Sequence, residues 1–359
     1  MKKTIFFLVL VLLGSQFVGA ENPKYEFRAT WLTGNGIDWP KSHNVVQQKE
    51  SLCKILDVMA KGNMNAACLQ VRSLCDALYQ SSYEPWAIAL TGTRGKNPGY
   101  DPLAFAIEEA HKRGMELHVW VNPFRVSTGS LATSDVMWTN AGDWLIKYNN
   151  ESFSGYIIDP GYPESRAYVV KVLMEIVNNY DIDGMVMDDY FYAYGGTTNE
   201  DAKAQALHYN ANNVIDVNDN GETLDDWRRS NVDKVIKATY DSIQAVKPWV
   251  RFGMGPGGIW TMDNGAARAY GIKLPSGISG GDIYNNLYCN TVEWIKGGYV
   301  DYVNPQIYWS TQVAAQDYDV LCEWGAKSVC EHFSDQLPNG KRVHHFPSPA
   351  AYKVYNGSH

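Results

Sequence analysis

Hydrophobic and polar positions alternate along this chain in two rhythms. Short apolar runs that read as strands cover Phe27–Thr33, Ala66–Arg72, Glu116–Pro123, Gly184–Tyr190, Arg251–Pro256, Val300–Tyr308 and Val343–Phe346. Between them, apolar residues recur at helical spacing over Val45–Gly62, Pro102–Gly114, Pro163–Tyr180, Ser230–Val246, Asn285–Gly297 and Tyr318–Glu331. Several of these stretches stop at a Gly or just before a Pro, the ordinary helix stop signals. Strand–helix alternation repeated this often predicts a parallel sheet covered by helices.

A closed (β/α)8 TIM barrel fits better than an open dinucleotide-binding sheet, because no Gly-x-Gly-x-x-Gly follows the first strand. Polar residues also gather at strand C-termini, the face on which barrel enzymes assemble their sites. Seven strands are counted, and the chain stops at His359 soon after the seventh begins. The reading therefore expects a barrel lacking its last strand and helix.

The first twenty residues stand apart. Lys2 and Lys3 precede an apolar stretch from Ile5 to Leu13, and Val18-Gly19-Ala20 supplies small residues before Glu21. That is the layout of a cleaved signal peptide, too short for a membrane span of roughly 20 apolar residues. Residues 1–20 are thus expected to be removed and 21–359 to form one exported domain, periplasmic or extracellular, with no membrane anchor after cleavage. A formal net charge of −8 argues against nucleic acid, which needs a concentrated basic surface. The 12 Trp and 23 Tyr lean towards carbohydrate, whose C–H faces stack on aromatic rings. Of six cysteines, Cys68 lies in an apolar run and reads as a buried thiol; pairing of the other five stays open.

The strongest chemical signal is Met187-Asp188-Asp189-Tyr190-Phe191-Tyr192, where a buried strand ends in two carboxylates and three aromatics. Alternation puts Asp188 on the inner face with Gly184 and Val186, and Asp189 at the rim. Adjacent carboxylates repel, so one holds its proton more firmly, and such splitting supplies the acid and the base of glycoside hydrolysis. Asp188 is the expected nucleophile or general base, Asp189 its acidic partner and Glu84 the reserve acid. Substrate-binding candidates are Trp31, Asp38 and Trp39 on and after the first strand, and Arg72 on the second. The third strand adds His118, Asn122 and the following Arg125; Tyr190 and Tyr192 come next, and the sixth strand brings Asn304, Gln306, Tyr308 and Trp309. A lone His such as His118 is more often a satisfied core residue than a catalyst.

No metal or cofactor is expected. Asp216-Val217-Asn218-Asp219-Asn220-Gly221 copies the first half of a calcium loop, but Trp227 stands where the bidentate Glu belongs, so it reads as a turn. Gly253-Met254-Gly255-Pro256-Gly257-Gly258 lacks phosphate-loop spacing and reads as a strand exit.

Taken together, several segments resemble the glycosyl-hydrolase-like 10 family: Phe27-Arg28-Ala29-Thr30-Trp31-Leu32, Gln70-Val71-Arg72, Glu84-Pro85-Trp86, Trp120-Val121-Asn122-Pro123, Asp159-Pro160-Gly161, Gly258-Ile259-Trp260 and Asn304-Pro305-Gln306-Ile307-Tyr308-Trp309. The resemblance implies a bacterial exported TIM-barrel glycoside hydrolase, one branch of which cleaves peptidoglycan glycan strands stripped of their peptides. Such proteins continue beyond the segment like Tyr352–Ser358 into a closing strand, so C-terminal truncation is expected here. The alternative reading is a non-catalytic glycan-binding barrel derived from such an enzyme.

Overall fold

A computed structural model describes residues 26–209 and 223–355. The expected signal peptide, residues 1–20, and the calcium-like segment 216–221 lie outside the described residues; Trp227 lies within them and is buried. Among the described residues, ten strands form two sheets. In chain order they are β1 (Ala29–Leu32), β2 (Ala66–Arg72), β3 (Glu116–Val121), β4 (Arg125–Thr128), β5 (Leu145–Asn149), β6 (Ser154–Ile158), β7 (Gly184–Asp188), β8 (Arg251–Gly255), β9 (Tyr302–Val303) and β10 (His344–His345). Seven form one parallel, curled sheet in the order β1-β2-β3-β7-β8-β9-β10, and these are the seven that hydrophobic patterning picks out. The sheet makes a half-barrel. Its two outer strands are not ladder partners, but Trp31 Nε1 donates to Ser348 Oγ at 3.2 Å and the Phe27 and Phe346 rings meet at 5.1 Å across the opening.

The main crossover helices begin where the sequence supplies caps. Asn44 accepts from the Gln47 N–H at the start of Val45–Lys61. Asp101 does the same for Pro102–His111, whose first residue is a proline that needs no donor partner. Thr223 and Asp226 form a reciprocal capping box on Leu224–Val246. Outward-facing strand residues such as Leu69, Val119, Met185, Met187, Phe252 and Met254 pack in the main core with helix residues such as Leu103, Val169 and Ile236. Inward-facing residues make a separate cluster of Cys68, Val186 and Tyr302, flanked by Phe27, Trp31, Trp120 and Phe346. Period-two alternation separates the two.

Glycines on the inner face make room for those aromatics. A Cβ on Gly184 would stand 2.2 Å from the His118 ring, and one on Gly253 would stand 2.1 Å from the Tyr302 ring. A Cβ on Gly255 would come within 2.9 Å of Trp31. All six cysteines are free thiols.

Three features depart from the sequence reading. A second, antiparallel sheet, β4-β6-β5, is inserted between β3 and the helix Pro163–Asn179. The sixth barrel strand shrinks to two ladder residues, since Pro305 has no N–H to donate, and pairing resumes only as a bridge between Gly257 and Gln306. The β2–β3 register slips between Gln70 and Arg72, so Arg72 lies opposite Val121, not Asn122. One extra residue moves its side chain to the other face of the sheet.

If the glycine–aromatic packing is right, Gly253→Ala should lower the urea midpoint by a loss of about 1–3 kcal/mol, the usual cost of overpacking. A midpoint equal to wild type would show that the inner face is loosely filled.

Candidate active site

Asp188 is the last residue of β7 and continues the inner face of Gly184 and Val186. Its Oδ2 accepts a hydrogen bond from Trp120 Nε1 at 2.9 Å, while Oδ1 is buried with no partner among the described residues. Asp189 turns the other way. Its Oδ2 accepts from the Tyr194 hydroxyl at 2.6 Å, and its Oδ1 is likewise buried without a partner. Asp189, expected at the rim where it can turn inwards, is 1% exposed, and Asp188 is 2% exposed. The loop that follows folds over it and brings Tyr194 back.

Burial raises both carboxyls above their ordinary range. Asp188 is driven well above it, first by loss of water and then by the charge of Asp189; the Trp120 indole and Arg125 oppose the rise. Asp189 is raised by burial and held back by donors from Tyr194 and Gln306 and by Arg125. Because the Asp189 charge adds to the rise of Asp188, the two carboxyls do not titrate independently.

Half-buried aromatic and polar groups surround this pair. Trp31 meets Trp120 edge-on at 4.9 Å. The Arg125 guanidinium lies 3.4 Å over the Tyr190 ring, and Tyr194 meets that ring edge-on at 5.6 Å. Gln306 Nε2 donates to the Gly255 carbonyl at 2.9 Å, and Tyr308 stands close enough to feel both aspartate charges. Gly257 keeps this corner open: a Cβ there would lie 2.6 Å from Ile283 and 3.4 Å from Asp189 Oδ2.

Other predicted residues are held elsewhere. Arg72, turned outwards by the register slip, makes a two-point ion pair with Glu84 at 2.7 and 2.6 Å, and neither side chain is exposed. Glu84 is therefore not a free acid over the same face. His118 sits at the opposite end of the half-barrel, between the Tyr302 hydroxyl at 2.6 Å and Glu116 at 3.1 Å. Trp39 is a main-core residue, and Tyr192 is buried edge-on against Tyr288. Exposed Asp38 closes its own loop by accepting from Thr33 N and Oγ1, both at 2.9 Å. Asn122 joins Gln70 to the Ser73 carbonyl, Asn304 donates to Phe346 O at 3.3 Å, and Trp309 packs on the Ile259–Leu321 cluster. Tyr194 was missed, although Tyr190, Tyr192 and Tyr194 continue one alternation up to Gly195-Gly196.

A parallel α/β half-barrel with paired acids at the strand C-termini is the frame on which glycoside hydrolases are built. A model of the glycosyl hydrolase-like 10 family matches residues 26–354, and the chain belongs to that family. It is 38% identical over 368 residues to glycosyl hydrolase YngK of Bacillus subtilis (strain 168), covering 99% of this chain and 67% of that protein. It is 33% identical over 326 residues to glycosyl hydrolase DigH of Escherichia coli (strain K12), covering 84% and 70%. Among solved structures, the glycoside hydrolase domain of PgaB (BpsB) from Bordetella bronchiseptica superposes with a TM-score of 0.51 over 90% of this chain and 94% of that one. At 11% identity that likeness concerns the fold alone.

Stability measurements distinguish the ion-paired Glu84 from the unpaired Asp188. Glu84→Gln should cost about 3–5 kcal/mol, because it leaves Arg72 buried and uncompensated. Asp188→Asn should do the opposite. A carboxyl raised in the folded state contributes stability at low pH that is lost as pH climbs from its unfolded to its folded pKa. The Asn variant escapes that loss, so its melting temperature should exceed wild type at pH 8 and converge with it towards pH 4. Thermal melts across that range decide the matter; a lower variant midpoint at pH 8 would mean Asp188 is a stabilising group.

Proposed function

We propose that this protein hydrolyses glycosidic bonds in an envelope or extracellular polysaccharide, with peptidoglycan glycan strands the first polymer to assay. One observation carries the reading: two adjacent buried carboxyls, each anchored through one oxygen, share a raised and divided proton affinity beside half-exposed aromatic rings. Membership of a glycosyl hydrolase-like family supports it. So does the charge balance, which suits sugars and opposes nucleic acid. Export rests on the signal-like residues 1–20; no helix among the described residues is long and apolar enough to cross a membrane.

The environment favours exchanging the roles that the sequence suggested. Asp188, with one side-chain donor and a charged neighbour, keeps the proton and acts as general acid, delivering it to the glycosidic oxygen as the bond to C1 breaks. Asp189, which accepts from the Tyr194 hydroxyl at 2.6 Å, is the ionised member and serves as nucleophile or as base towards water. Trp31, Trp120, Tyr190 and Tyr308 supply stacking surfaces for sugar rings.

Release of reducing ends from peptide-free peptidoglycan strands and a panel of other polysaccharides tests this. Asp188→Asn and Asp189→Asn should each lower kcat by about 10²–10⁴ with little change in KM. Activity should fall at low pH as Asp189 is protonated and at high pH as Asp188 loses its proton, with both limbs above the ordinary carboxylate range. Binding to a glycan without any release of reducing ends would instead favour the non-catalytic glycan-binding barrel.

A further inference from the structure

The antiparallel sheet β4-β6-β5 grips the loop after Asp189 at three places. Arg125, the first residue of β4, lies 3.4 Å over the Tyr190 ring. Asn150, in the turn between β5 and β6, donates Nδ2 to the Tyr194 carbonyl at 3.0 Å. Its own Oδ1 accepts the Ser152 and Phe153 N–H groups at 2.9 and 2.7 Å, so that side chain is aimed before the loop arrives. Tyr148 of β5 is hydrogen-bonded through its hydroxyl to Thr197 Oγ1 at 2.8 Å. Gly195 allows this close approach: its φ is +93°, and a Cβ there would lie 2.7 Å from Asn150 Oδ1. Tyr194 is thus fixed at its carbonyl and its ring, and its hydroxyl reaches back five residues to Asp189.

We propose that Tyr194 is the positioning residue that makes Asp189 the ionised member of the pair, and that the inserted sheet is the device that holds it there. The groups facing Asp189 are Asp188 on its own strand, Tyr190 and Tyr194 on the loop, Arg125 on the insertion, Gln306 and Tyr308 beyond β9, and Cys289 before the helix Thr291–Lys296. Among the described residues the Tyr194 hydroxyl is the side-chain donor hydrogen-bonded to Asp189, whereas the Gln306 amide donates to the Gly255 carbonyl at 2.9 Å. The Tyr194 hydroxyl is given to the carboxylate alone. A hydroxyl binds a carboxylate anion about twice as strongly as a neutral acid. Without it the shared proton moves towards Asp189, and the acid and base exchange places. The catalytic meaning of this rests on the hydrolase reading above; the ionisation itself does not.

Thermal melts of the full chain, free of any substrate, test the idea. Wild type, Tyr194→Phe, Asp189→Asn and the double variant are compared from pH 4.5 to pH 8. Phe keeps the ring contact with Tyr190 and removes only the donor. Towards the acid end of that range, as Asp189 takes up its proton, the Phe variant should approach wild type. As pH rises and Asp189 ionises, the deficit should widen, by roughly 2–4 °C at pH 8. In the Asp189→Asn background the deficit should be flat. A deficit equal at every pH, or equally pH-dependent without Asp189, overturns the proposal and leaves Tyr194 a packing residue. Should Tyr194→Phe fail to fold, Asn150→Ala loosens the same clamp and must show a smaller widening of the same sign; a flat response there counts equally against it. A widening deficit in a protein that cleaves no glycan would sink the hydrolase reading and leave this one standing.

Discussion

Two carboxyl groups on consecutive residues, both shut away from water, dominate the energetics of this molecule's upper face. Each loses its hydration, and each makes the other harder to ionise. A fold tolerates this arrangement only if neighbouring elements deliver donors to the carboxyls, and every oxygen left without one adds to the cost. Here one donor comes from the adjacent barrel strand, through Trp120, and another from the loop that follows, through Tyr194. The remaining oxygens, Asp188 Oδ1 and Asp189 Oδ1, have no partner among the described residues. Such a pair is poor for stability and well matched to proton transfer, the usual trade at sites of acid–base chemistry.

The rest of the architecture follows from placing those donors. Trp120 reaches Asp188 because the β3–β7 ladder sets Trp120 beside Val186, one inward position before the aspartate. Large rings fit inside the half-barrel because Gly184, Gly253 and Gly255 present no side chain to them. Trp31 bridges the opening to Ser348 while bracing Trp120 edge-on, so the packing of the sheet's open side is continuous with the site. The inserted sheet adds what a bare barrel lacks, a second wall from which Arg125, Tyr148 and Asn150 pin the loop carrying Tyr190 and Tyr194.

The parallel sheet was legible because its strands are buried on both faces and read as continuous apolar runs, β7 being the plainest example. Asp188 was legible for the same reason: a charge that ends such a run has few structural explanations. The inserted strands were not, because β4 and β5 break their apolar runs with polar residues, Arg125, Ser127 and Thr128 in the first and Lys147 and Asn149 in the second. Arg72 and Glu84 were misplaced by a single slipped residue near Val71, which alternation cannot reveal. Trp39 and Tyr192 have the composition of sugar-stacking residues but lie in the core, since an aromatic ring is chemically suited to both places. Tyr194 acts at a distance of five residues through a loop whose shape depends on Gly195 and on Asn150, 44 residues earlier in the chain.

In the proposed mechanism one proton serves the Asp188–Asp189 pair and resides on Asp188. Neutron diffraction from perdeuterated crystals grown near neutral pH would locate it directly. A single deuteron is expected on the pair, on the Asp188 carboxyl, with the Tyr194 deuteron pointing at a bare Asp189. Two bare carboxylates, two protonated carboxyls, or a lone deuteron on Asp189 would contradict it.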